Sequence, residues 1–356
     1  MNPMYASVSS CWTQTALRAG DAASAALACA RGPVAGASAS THNEADRMTD
    51  RGIIGSSCPV RGDCNYTAWG RVGGRCADPL DMLQLEITAG TRRWRSDPAC
   101  PVDIAIPLEF RGDQPRFFAV QPARTEPLRA GTFSGEVASG ASCNCSVHTL
   151  APHCHGTHTE CVGHVTSEPV SVSSVTPAAL AVALLVSVKP QPLGDAARQT
   201  GSRSAASDLV VTAPDLARAA APWNDVPWTA LVVRTLPNEP SKRHRAYAGA
   251  SPAPYFATSA MQWIVDRGVT SLVVDVPSLD RADDGGQLAA HRTYWGLPPG
   301  AREARLAQRP HALVTELAYV PDDVPDGPYL LDLQVAAFVA DAAPSRPVLY
   351  RLAEAG

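Results

Sequence analysis

Two short apolar runs rich in β-branched residues, "TALVVRTLP" (229–237) and "VTSLVVDVPS" (269–278), constrain the fold more than any other feature of the chain. Each is unbroken by polar residues for several positions and is closed by proline, as expected of a strand covered on both faces. Between them, "PYFATSAMQWIVDRG" (254–268) carries a proline near its start, apolar residues at helical spacing and a glycine at its end. That reads as a helix. Strand, helix, strand in this order predicts a βαβ crossover and an α/β fold with parallel pairing.

Other segments extend the same fold. "LQLEITAG" and "VDIAIPLEF" read as strands that begin the folded region near Asp81, followed by "FFAVQP", and "PAALAVALLVSV" (177–188) as a buried strand. The tail "GPYLLDLQVAAFVADAAPSRPVLYRL" predicts two strands around a polar turn, and the proline-rich stretch 187–208 a surface loop or insertion. No internal repeat is visible, so residues 81–356 are read as one domain. Residues 1–80 mix Ala, Ser, Gly and Arg without sustained periodicity and read as a low-complexity, disordered extension, with Met48 and Met82 as alternative starts.

Composition narrows the function. A formal charge of −4 offers no general attraction to nucleic acid or acidic membranes, and "SKRHR" (241–245) reads as a solvated loop. The aliphatic run 177–188 is too short to span a bilayer, which takes about 20 residues. The N-terminus lacks the basic start and continuous apolar core of a secretory signal, so a cytoplasmic location is expected. The ten cysteines form no dense disulfide framework; Cys143 and Cys145 are too close for a zinc-knuckle pair, and the sequons "NYT" and "NCS" matter only on export. Both "RGD" triplets read as chance.

The chemistry concentrates in "HCHGTHTEC" (153–161) and His164, which hold four of the nine histidines. Alternation along an extended strand would put Cys154, His158 and Glu160 on one face, with Gly156 leaving room for an ion, and His153 and His155 on the other. Thiolate, imidazole and carboxylate together favour zinc, with manganese or iron as alternatives. The plainer reading makes His153 and His155 loop caps and Cys154 a small buried residue.

"C-H-G-T-H-T-E-C-V-G-H" (154–164) resembles the H-x-G-T-H-x-D-x-P-x-H motif of the cyclase-like metal-dependent hydrolases, which include bacterial kynurenine formamidase and isatin hydrolase. Thr157, His158 and His164 match in register. Glu160 stands where the family has Asp, Cys154 where it has the first His, and Val162 where it has Pro. The resemblance runs from about 84 to 352: "DIAIPL" (103–108) is similar to the opening strand and "DVPSLDR" (275–281) to a central D-x-x-S-x-D segment. His291 then resembles a metal-binding His, and Glu316 in "LVTELAYV" the carboxylate of an E-x-L strand.

The resemblance implies a single layered β/β/α (swivelling) domain with a mixed sheet. It implies one or two divalent ions, zinc first and manganese second, held by Cys154, His158, Glu160, His164, His291 and Glu316. Thr157, Asp275, Ser278 and Asp280 would stand behind those ligands; turn formation is the competing role for Asp275 and Asp280. A carboxylate bounded by apolar residues, such as Glu316, needs a charged partner. His148, His244 and His311 read as surface residues.

The implied reaction is hydrolysis of a small-molecule amide by activated water, with His164 or His291 moving the proton. N-formylkynurenine, opened to kynurenine and formate in tryptophan catabolism, is the first substrate expected. A cyclic amide such as isatin, or a non-catalytic metal- or thiol-binding protein on the same scaffold, is the alternative. No G-x-S-x-G elbow supports a serine hydrolase. The resemblance further implies a homo-oligomer.

Overall fold

The computed structural model describes residues 83–175, 180–194, 204–247 and 253–355. All lie in one compact unit, Cys64–Gly356. The disordered extension expected over residues 1–80 lies outside the described residues.

The central feature is an eight-stranded mixed sheet. In chain order its strands are β1 (Val102–Asp103), β2 (His158–Glu160), β3 (Leu180–Val188), β4 (Ala230–Thr235), β5 (Ser271–Val274), β6 (Leu313–Glu316), β7 (Gly327–Val335) and β8 (Ala342–Arg351). Their spatial order is β7-β3-β4-β5-β6-β2-β8-β1, and β7 also pairs with β8, so the sheet curls round and closes on itself. The run β3-β4-β5-β6 is parallel. The pairs β6–β2, β2–β8, β8–β7 and β7–β3 are antiparallel.

Three helices cover one face: α1 (Ala213–Ala220), α2 (Thr258–Asp266) and α3 (Ala289–Trp295). The predicted crossover is present, because β4, α2 and β5 follow one another and β4 pairs in parallel with β5. α2 ends where Gly268, at a positive φ of 73°, donates its N–H to the Val265 carbonyl.

Alternation explains why these strands are apolar throughout. Val182, Leu184, Val186, Leu231, Val233, Leu272, Val274 and Val314 face the core under the helices, with Met261, Ile264, Tyr294 and Trp295. Their neighbours Ala183, Leu185, Ala230, Val232, Val273 and Leu313 face a second core on the other side, with Tyr329 and Leu331. Both faces are therefore out of water, and at about 25 cal/mol per Å² of apolar surface their burial is the main favourable contribution to folding.

One expected strand is shorter than the sequence suggests. "VDIAIPLEF" pairs only at Val102–Asp103, followed by a bridge from Ala105 to Ala318, because Pro107 ends the supply of N–H donors. "FFAVQP" is extended only at Arg116–Phe117, since Phe118 adopts a positive φ of 60°. His148, His244 and His311 are exposed, as expected. Among the described residues no helix is long and apolar enough to cross a membrane.

Candidate metal centre

The strand β2 lies between β6 and β8, and its register builds the site. His158 sits directly opposite Glu316, and Glu160 opposite Val314. Because opposed residues share a face, His158, Glu160 and Glu316 all project to the side on which Val314 meets the helices. From that side α3 delivers His291, which is fully buried beside Trp295 with ring centroids 5.6 Å apart.

The result is a knot of opposite charges with almost no water. His158, Glu160 and His291 are 0% exposed and Glu316 3%. His291 Nε2 lies 2.9 Å from Glu160 Oε1 and 3.3 Å from Glu316 Oε1. His158 Nε2 lies 3.5 Å from Glu316 Oε2. Even so, His158 Nε2, His291 Nε2 and both carboxylate oxygens of Glu160 make no aligned hydrogen bond. Opposite charge rather than aligned hydrogen bonding holds these buried atoms together, and a cation among them would satisfy all four.

The far side of each imidazole is already committed. His291 Nδ1 is 2.6 Å from Asp280 Oδ2, and Asp280 also accepts the backbone N–H groups of Ala290 and His291. His158 Nδ1 is 3.1 Å from the Gly156 carbonyl, so it carries the proton there. Both rings thus turn Nε2, the nitrogen a metal would take in place of a proton, towards Glu160 and Glu316. Glu316 Oε1 also accepts the Leu279 N–H at 2.8 Å, which anchors it.

A second group adjoins the first. His153, Glu160 and His164 offer three donor atoms within 4.8 Å of one another, as do His158, Glu160 and Glu316. Glu160 belongs to both. His153 Nδ1 lies 2.9 Å from Glu160 Oε2, and His164 Nδ1 lies 3.8 Å from the same oxygen. Behind His153, Asp341 places Oδ2 2.8 Å from Nε2.

Burial and charge oppose each other throughout. Burial alone would raise the Glu160 carboxyl, but His164 and His291 overcome it and hold it well below the usual range. For Glu316, burial and the neighbouring Glu160 push upwards, and the contacts with His158 and His291 outweigh them. Burial disfavours the charged forms of both His153 and His291, yet their carboxylate neighbours prevail: His291 is raised well above its ordinary value and His153 to about 10. Asp341 is lowered by its contacts with His153 and His164. A cation replacing these protons would satisfy the same carboxylates.

The expected residues therefore divide. His158, Glu160, His164, His291 and Glu316 come together, and Asp280 stands behind His291. Thr157 instead ties loops together, accepting the Ile106 N–H and donating to the Leu317 carbonyl. Ser278 accepts the N–H of Asp280 and so shapes the turn that holds that carboxylate. Asp275 turns elsewhere, to Lys242 Nζ at 2.8 Å and to the N–H and hydroxyl of Thr235.

The face assignment fails upstream of Gly156. Pro152–Cys154 forms a 3-10 turn rather than an extended strand, so alternation does not reach back to Cys154. His153, expected on the opposite side, enters the site, while Cys154 is in neither donor group. Burial raises the Cys154 thiol. His155 does cap a loop, its Nδ1 accepting the Ala151 N–H and its Nε2 donating to the Gln121 carbonyl. Cys161 is core, its thiol pushed to about 11 by burial. Pro152 was the one local signal of the turn; Asp341 had none.

None of His153, His158, Glu160, His164, His291 and Glu316 lines either of two nearby clefts. One of about 390 Å³ is walled by Thr235, Lys242, Tyr247 and Asp275. The other, about 120 Å³, includes Asp280 and Arg281 and so reaches the carboxylate that holds His291.

Residues 83–281 match the family described as "Putative cyclase". This covers more than half of the chain, and the protein belongs to that cyclase family. Similar solved structures include isatin hydrolase A from Labrenzia aggregata bound to benzyl benzoate, 15% identical, covering 70% of this chain and 93% of that one with a TM-score of 0.48. An isatin hydrolase bound to the product analogue thioisatinate is 12% identical, covering 70% and 92%, TM-score 0.47. A predicted metal-dependent hydrolase from Bacillus stearothermophilus is 14% identical, covering 70% and 97%, TM-score 0.43. No curated protein matches the chain.

Proposed function

We propose that this protein is a metal-dependent hydrolase that cleaves an amide C–N bond in a small molecule, with N-formylkynurenine opened to kynurenine and formate as the reaction. The observation that carries the reading is the convergence of donor atoms of His158, His291 and Glu160, none of them in an aligned hydrogen bond, beside Glu316 in the buried interior. Cyclase-family membership agrees with it.

His158, Glu160 and Glu316 would hold one divalent ion, joined by His291, whose Nε2 lies 2.9 Å from Glu160 Oε1 and 3.3 Å from Glu316 Oε1, and His153, His164 and Glu160 could hold a second. Imidazole and carboxylate donors suit zinc, the ion proposed here, and also manganese. Such an ion supplies Lewis acidity, polarising a carbonyl oxygen and lowering the pKa of water from about 15.7 to near 7. The protein does the positioning. Asp280 keeps His291 Nε2 directed inwards, and the Gly156 carbonyl does the same for His158. His291 has no free nitrogen once its Nε2 is engaged, so His164 is the proton carrier we assign: its side chain is 25% exposed and can exchange protons with solvent. The same reading takes the protein as a cytoplasmic homo-oligomer.

Elemental analysis of the purified protein, with N-formylkynurenine hydrolysis measured before and after chelation, tests the reading. One or more zinc or manganese ions per chain, and turnover lost on chelation and restored by metal, are expected. Isatin run in parallel separates the cyclic-amide alternative. Bound metal with no turnover of either amide would favour a binding role on the same scaffold, and absence of metal would refute the proposal.

A further inference from the structure

His153 and Asp341 form a pair that the sequence motif does not contain. His153 follows Pro152 in a 3-10 turn, and that turn swings its ring towards Glu160 and His164, whose ring centroid is 4.3 Å away. Its Nε2 lies 2.8 Å from Asp341 Oδ2, a contact that engages the Nε2 side of the ring and leaves Nδ1 as the nitrogen a metal would take in place of a proton. That Nδ1 is the atom 2.9 Å from Glu160 Oε2. Asp341 comes from the turn before β8, where its carbonyl accepts the Cys161 N–H and so locks the turn to β2.

We infer that His153, and not its neighbour Cys154, is the metal donor at this end of the site, and that Asp341 is its positioning residue. The inference rests on the proposed metal site. On both sides of the cluster a carboxylate takes one ring N–H and aims the other nitrogen inwards, Asp280 for His291 and Asp341 for His153. Cys154 stands in the corresponding motif position, yet its sulfur is in neither donor group. The chain has moved the imidazole one residue upstream and supplied a remote aspartate to hold it.

The test uses the full-length protein stripped of metal and reloaded with cobalt(II), whose spectrum reports its ligands. Wild-type protein is expected to bind cobalt without the near-ultraviolet sulfur-to-cobalt charge-transfer band of a thiolate ligand, and Cys154→Ser to keep the same spectrum and affinity. His153→Ala should lose one bound ion or weaken it, and Asp341→Ala should weaken cobalt about 10–100-fold. Asp341→Asn should recover part of that loss, since its amide oxygen can still accept from Nε2. A thiolate band removed by Cys154→Ser, or unchanged cobalt affinity in His153→Ala, would overturn the assignment while leaving the metal site standing. Failure of wild-type protein to bind any divalent ion would instead remove the site itself, and this inference with it.

Discussion

His158 and Glu316 face each other across adjacent antiparallel strands, with Nε2 and Oε2 3.5 Å apart and neither residue more than 3% exposed. One lies on β2 and the other on β6, so sheet register rather than a loop brings them together. Glu316→Gln should therefore lower metal content sharply without disturbing the fold, because glutamine keeps the shape and can still accept the Leu279 N–H. Titration with zinc in the presence of a competing chelator measures this. Unchanged affinity would exclude Glu316 as a donor.

Asp280 makes three contacts with the start of α3, to the Ala290 N–H, the His291 N–H and the His291 ring. Asp280→Ala removes a cap and the ring's anchor together. Loss of the cap alone costs about 0.5–2 kcal/mol, and loss of the anchor about 10–100-fold in metal affinity. Asp280→Asn is expected to restore most of the stability and less of the affinity. Equal recovery of both would argue that the ring contact is unimportant.

In the metal-free protein His153 binds its proton more tightly than the ordinary 6.5, with a pKa of about 10. A raised folded-state value stabilises most below the unfolded value, so this contribution is complete below pH 6.5 and lost as pH rises towards about 10. Asp341 is lowered from 3.8, so its contribution is present above that value and lost on acidification. The melting temperatures of chelated wild type and His153→Gln should thus differ most near about pH 6 and converge near about pH 10. A gap independent of pH would contradict the pairing.

Lys242 and Asp275 form a buried pair 2.8 Å apart, with the lysine also donating to the Thr235 carbonyl. Lys242→Met leaves Asp275 charged and unpaired, which costs about 3–5 kcal/mol. Denaturant unfolding should register that loss, whereas zinc stoichiometry at saturation should be that of wild type. A variant that is folded but has lost its metal would place Asp275 back behind the centre.

Much of the scaffold could be read from local pattern. The runs at 229–237 and 269–278 and the helix between them are visible because backbone sterics and burial impose short periods that neighbouring residues alone reveal. Within β2 the same alternation pairs His158 with Glu160, and Glu316 stands out as a carboxylate among apolar residues. Where the backbone leaves the strand the logic stops. The turn at Pro152–Cys154 exchanges His153 for Cys154, and Asp275 leaves the centre for Lys242.

The amino-acid sequence thus determined by itself the central strands and the crossover helix, since these follow from interactions among residues close in the chain, and it singled out His158, Glu160 and Glu316 as candidates. Only the tertiary structure decided which donors meet. His291 reaches Glu160, and Asp341 reaches His153, across more than a hundred residues. Those contacts depend on strand register and on the paths of turns. Both are set when the whole sheet closes and buries its two faces, and no local segment carries that information.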